Sequence, residues 1–137
     1  MKRNSTIKWK IPANVERVWE IVTNNQDVRW RSDVEHLEII SENVFIEHFK
    51  GGGQTKFTIV AKEANQLYAF QMGNKFFQGE WVGRFEEVSS EETVLNFSEQ
   101  LDIKNPIIYV LSFFMMNLKK MQRTYMEDLQ RRVADEN

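Results

Sequence analysis

The sequence predicts an α+β fold in which a curved antiparallel sheet of seven strands wraps around a long C-terminal helix. Three observations predict it. One stretch of alternating polar and apolar residues opens the chain, and six more follow between residues 35 and 103. The breaks between those six are short and rich in turn formers, so successive strands pair as antiparallel hairpins. The apolar face of such a sheet is then left to one remaining element, a helix opening at Pro106.

Ile7, Trp9 and Ile11 alternate with Thr6, Lys8 and Lys10, the period of a half-buried strand. Pro12 ends that strand, since proline has no N–H for the ladder. The period then changes: Val15, Val18, Trp19 and Val22 share one helical face, with Asn14 as cap and Asn24-Asn25 as stop. A short helical piece is expected around residues 27–31. The strands are read at 35–41, 44–50, 55–63, 67–72, 76–88 and 93–103, separated by segments such as Gly51-Gly52-Gly53 and Gly73-Asn74.

Asn105-Pro106 suits a first helical turn. Leu111, Phe114, Leu118, Met121, Tyr125 and Leu129 follow at spacings of three and four, predicting one continuous helix with one apolar stripe. Glu127–Arg131 and Asp128–Arg132 are expected as i,i+4 ion pairs. Residues 107–117 are apolar on too many sides for a single covered face, whereas residues 118–129 read as a plain lid.

The length of 137 residues suits one domain spanning 1–137. With 18 basic and 20 acidic residues the net charge is −2, which argues against a phosphate-binding face and hence against nucleic acid. The absence of cysteine excludes disulfides and thiol chemistry. Residues 1–10 lack a signal peptide's apolar region, and the apolar run 107–116 is too short for a membrane span, so a cytoplasmic protein is expected. Ten Phe, four Trp and three Tyr exceed what a small core usually needs; they fill the core or line a cavity.

Polar chemistry is sparse. His36 and His48 have no metal-binding spacing, and alternation puts Glu47 and His48 on opposite faces, so no metal is expected. The triple glycine precedes a strand, which makes it a hairpin loop and no phosphate cradle. Glu99 stands in phase with Leu95, Phe97, Leu101 and Ile103, a carboxylate on an apolar face. It is the candidate catalytic or ligand-orienting group; the plainer alternative is an ion pair, with Arg84 as one partner. Gly79 and Gly83 flank Trp81 in phase and are expected to leave room above the sheet. No catalytic triad or cofactor fingerprint is present, and no cofactor is expected.

Four segments taken together resemble the START-like (SRPBCC, polyketide cyclase–like) superfamily, relatives of the birch pollen allergen. They are Ile11 through Trp19, with its Val-Trp pair; Trp30 followed by Val34-Glu35; Gly83-Arg84-Phe85 followed by Thr93-Val94-Leu95; and the amphipathic C-terminal helix. The resemblance spans essentially the whole chain, although Glu92 stands where the family usually has glycine. It implies a helix-grip fold and a cavity for an apolar or amphipathic small molecule such as a lipid, quinone or polyketide. The implied lining includes Trp30, Phe57, Ile59, Phe70 and Met72, then Trp81, Phe85, Phe97, Glu99 and Leu101. Phe114, Leu118, Met121 and Tyr125 of the helix complete it. A cyclase or aromatase-like enzyme using Glu99 and Tyr125 is the second reading. A protein-interaction module or homodimer, prompted by residues 107–116, is the third.

Overall fold

The computed structural model describes residues 1–135. Strand β1 (Lys2–Ile11) is followed by helix α1 (Val15–Thr23). Strands β2 (Val34–Ile39), β3 (Val44–Phe49), β4 (Gln54–Glu63), β5 (Leu67–Gly73), β6 (Gln78–Ser89) and β7 (Glu92–Asp102) then run consecutively. Helices α2 (Pro106–Met115) and α3 (Leu118–Asp135) end the described chain. The sheet order is β1-β7-β6-β5-β4-β3-β2, antiparallel throughout. This is the expected α+β helix-grip sheet. Register shifts at Val34/His36, Ile59/Ala61 and Glu87/Ser89 supply the local bends that a curved sheet needs.

Local chemistry sets most boundaries. The Asn14 side chain accepts from Arg17 N at 2.8 Å and caps α1. The helical piece expected at 27–31 does not form. Asp27 instead accepts from Arg29 N at 3.3 Å, a local bond that competes with helix, and its carboxylate also engages the Arg29 and Arg132 guanidinium groups. Those two arginines, Arg29 foremost, hold the Asp27 carboxyl well below the usual carboxylate range. Strand β6 begins at Gln78 because Asn74 Oδ1 accepts from Phe76 N and Phe77 N, which tightens the turn and leaves Phe76 exposed.

The triple glycine closes the β3–β4 hairpin, with Gly52 at φ 95° and Gly53 at φ 89°. A Cβ is disfavoured there, so Gly53→Ala is expected to cost about 1–2 kcal/mol in thermal or urea unfolding. Gly51→Ala, whose Cβ meets nothing within 4 Å, should change stability little and serves as its control.

The C-terminal helix is two helices. Asn105 Oδ1 accepts from Ile107 N and Ile108 N and caps α2, with Pro106 in its first turn. Met116 is extended, at φ −127° and ψ 103°, and Asn117 Oδ1 then accepts from Lys120 N as a fresh cap for α3. That break ends the single expected helix, so the expected stripe is buried only in part. Leu118, Gln122, Met126, Leu129 and Val133 face inward, while Leu111, Phe114 and Met121 are exposed. Gln122 takes the place expected for Met121 because its amide is fully used: it accepts from Ser5 Oγ at 2.7 Å and donates to Ser5 O at 3.0 Å.

The expected i,i+4 ion pairs are also replaced. Asp128, 2% exposed, accepts from Ser32 N and Ser32 Oγ and pairs with Arg131, tying α3 to the chain entering β2. Arg132 crosses to Asp27. Against the inner face of β6 and β7, α1 and α3 bury Val18, Leu95, Phe85, Met126 and Leu129 in one core.

Candidate functional site

Strand alternation sorts the sheet into two faces. Paired rows on the inner face are Glu99–Trp81–Phe70–Ile59 and Leu101–Gly79–Met72–Phe57, with Phe97–Gly83–Tyr68 further in. The rings form a continuous pavement. Phe45 stacks on Phe57 at 5.0 Å and Phe70 on Trp81 at 4.6 Å, while Phe97 meets both Trp81 and Tyr125 edge-on.

This face has two parts. Under α1 and the later turns of α3 it is sealed, with Ile11, Val18, Leu95, Met126 and Leu129 at 0% exposure. Toward β4, β5 and the α2–α3 break, Leu37, Ile59, Phe70, Phe77, Trp81 and Met116 remain only half-buried. Trp81, Phe70 and Ile59 bridge the two parts.

The expected site residues distribute accordingly. Ile59, Phe70, Trp81 and Glu99 share the half-buried row, with Phe57, Met72, Leu101 and Leu118 buried beside it. Phe85 and Phe97 lie in the sealed core. Trp30 packs edge-on against Tyr125 at 5.2 Å behind them. Phe114 and Met121 are corrections: at 84% and 48% exposure they lie outside the grip, Phe114 because the break at Met116 and Asn117 turns α2 away, and Met121 because α3 turns Gln122 and Met126 inward in its place. The space expected beside Trp81 is also taken. A Cβ on Gly83 would come within 2.5 Å of the indole, so the glycine accommodates the Trp81 ring itself.

Glu99 is the polar centre of the half-buried row. Burial raises its carboxyl to about 7, against the opposing pull of Arg3. Arg84 is no partner for it, since that residue is exposed and stands in the alternate phase of β6. Arg3 belongs to the adjacent edge strand and is itself held by Ser112 O at 2.9 Å and stacked over Phe113 at 4.2 Å. Two further polar atoms, Trp30 Nε1 and Tyr68 Oη, are buried without a hydrogen-bond partner among the described residues. Burial raises the Tyr68 hydroxyl; the Asn25 side chain opposes this but does not satisfy hydrogen-bond geometry.

A second polar group escaped the sequence reading. The Arg31 guanidinium forks onto Asp33 at 3.2 Å, donates to Glu47 at 3.2 Å, and lies over the Tyr125 ring at 4.6 Å. Burial opposes the charge on Arg31, but Glu47 and Asp33 more than offset it and hold its pKa above the ordinary arginine value. Burial raises Glu47, with Arg31 pulling the other way. Burial also pushes the Tyr125 hydroxyl up against the same arginine. Glu47 was detectable: it stands two residues from Phe45 and therefore on the same face. Nothing local marked Arg31 as its partner.

The outer face differs in kind. An open trough of about 640 Å³ there is lined by polar side chains including Lys56, Gln71, Glu80 and Gln100. His36 and His48 stack at 4.2 Å in the outer phase of β2 and β3, with Glu38 3.3 Å from His48. Among the described residues no group of three or more His, Asp or Glu is placed to hold a metal ion, and no helix is long and apolar enough to cross a membrane.

Solved structures of the same fold are numerous. A START superfamily protein from Mycobacterium smegmatis superposes with a TM-score of 0.80 at 12% identity, covering 98% of this chain and 99% of that one. A conserved protein from Geobacillus kaustophilus gives 0.79 at 15% identity, over 97% and 96% of the two chains. Norcoclaurine synthase from Thalictrum flavum, solved with dopamine and hydroxybenzaldehyde, gives 0.77 at 12% identity, over 100% and 89%. At these identities the likeness establishes the fold alone. No functionally curated protein matches the sequence. The sequence itself matches the polyketide cyclase / dehydrase and lipid transport family over residues 3–135, and the chain belongs to that family, with a START-like fold.

Proposed function

We propose that this protein binds an apolar or amphipathic small molecule on the half-buried part of the inner face, between the sheet and the α2–α3 break. One observation carries the reading. Trp81, Phe70 and Ile59 form an aromatic and aliphatic surface that the protein's own helices leave partly open, with an unpaired carboxylate, Glu99, in the same row. The filled aromatic core further in implies a ligand lying along this surface. Its polar end would meet Glu99, protonated below about pH 7 and able to donate a hydrogen bond. Membership of a family whose description includes lipid transport agrees with such a ligand.

The test is native mass spectrometry of the gently purified protein, followed by titration of lipids, quinones and polyphenols against its tryptophan fluorescence. Binding should quench emission in the wild type and much less in Trp81→Phe. Phe70→Ala should weaken binding by about tenfold, the contact value of one well-placed ring. Quenching that survives in Trp81→Phe, or binding unaffected by Phe70→Ala, would place the ligand elsewhere.

A second reading, an enzyme of cyclase type, is favoured by the same carboxylate, whose value near neutrality suits general acid–base work. It requires that Glu99→Gln abolish turnover of a bound substrate while preserving its binding.

A further inference from the structure

We propose that α2 is a docking element for the surface of an anionic lipid bilayer. Of its ten residues only Ser112 is buried. Ile107, Val110, Leu111, Phe113, Phe114 and Met115 are 48% to 84% exposed. At 100° per residue these six positions sweep about 200° of the helix circumference. A rigid protein surface covers a single stripe of a helix. Fluid hydrocarbon closes around most of one that sinks into it, so the breadth of this apolar arc favours a bilayer. The helix is about 15 Å long, half the thickness of a hydrocarbon core, and so lies in the interface without spanning it.

Charge points the same way. Between Lys104 and Met126 the chain places four of its 18 basic residues and none of its 20 acidic ones. Lys104 precedes α2, while Lys119, Lys120 and Arg123 follow it on α3. Lys119 is bonded to Thr6 O, but Lys104, Lys120 and Arg123 have no ion-pair partner among the described residues. The rest of the chain is net acidic, so the molecule presents this end to an anionic surface and turns the remainder away. A second copy docked face to face would instead oppose the same cations.

The root of α2 is anchored for this role. Arg3 of the edge strand bonds Ser112 O and Oγ and covers one face of Phe113, leaving the apolar arc outward. Docking would bring the α2–α3 break, and with it the half-buried Trp81 row beside Met116, close to the lipid.

The experiment is flotation of the full chain with vesicles of phosphatidylcholine alone or phosphatidylcholine containing phosphatidylglycerol. We expect at least about tenfold more protein on the anionic vesicles, with loss at high salt. Phe114→Glu should reduce binding about tenfold or more, and Lys120→Glu by about fivefold or more. Val60→Glu, an exposed apolar position on β4, should leave it unchanged. All three exposed-site variants are checked for wild-type melting. Absence of anionic-vesicle binding, or full binding by Phe114→Glu, overturns the proposal. A dimer in sedimentation velocity that Phe114→Glu dissociates, without vesicle binding, overturns it in favour of a second copy. Ligand binding at Trp81 is read by fluorescence without vesicles and stands or falls separately.

Discussion

Arg31→Ala is expected to destabilise the protein by about 3–5 kcal/mol in urea unfolding near pH 7.5. The alanine removes the guanidinium that neutralises Glu47, a carboxylate 8% exposed and too deep for water to replace the lost bond. It also uncovers the Tyr125 ring and frees Asp33. The dependence on pH is part of the prediction. Burial already raises Glu47, and losing Arg31 raises it further, so the folded variant holds a proton that the unfolded chain releases above its ordinary value. Stability of the variant should therefore fall as pH rises from that ordinary value, and the deficit should shrink in acid. Replacing both partners, as Arg31→Met with Glu47→Leu, should recover most of the loss, since no charge is then left stranded. A loss below about 1 kcal/mol in the single variant would show the pair to be solvated.

Glu99→Gln is expected to make the protein more stable at alkaline pH, by about 1–3 kcal/mol. The folded carboxyl titrates at about 7 against an ordinary 4.5. Between those values the folded state binds more protons than the unfolded state, so wild-type stability declines as pH rises through that window and levels above it. Below the window both states are protonated and the variant should match the wild type. The check is a series of thermal melts from about pH 4 to about pH 9 on both proteins. Wild-type stability that rises across the window would show the carboxyl to be paired. A ligand bearing a cation or a strong hydrogen-bond donor should flatten the wild-type curve, which ties this measurement to the proposed site.

The strands were legible because their signal is local. Period-two alternation needs only neighbours along the chain, and β2 to β7 start and end within two residues of the boundaries it implies. The two-residue delay of β6 has a chemical cause: Asn74 holds Phe76 and Phe77 in a turn. Placing Glu99 on the inner face followed from the same period. The last helix was harder. Asn117 resembles any polar residue within a helix, and only its cap geometry shows that a second helix starts there. The break moves Phe114 off the stripe of Leu118, and the Ser5 bonds that draw Gln122 inward leave Met121 outside.

What sequence alone determined is the seven strands, helix α1 and which face of each strand is apolar, because these follow from short-range sterics and periodicity. Tertiary structure decided which polar groups enter the interior and which apolar ones leave it. Gln122 and Asp128 are buried because Ser5 and Ser32, more than ninety residues away, supply their hydrogen bonds. Glu47 is buried because Arg31 reaches it from the loop before β2. Phe114 is exposed because α2, cut from α3 by an extended Met116, turns it away from the sheet. The free energy of burial depends on partners in space, and no window of sequence contains them.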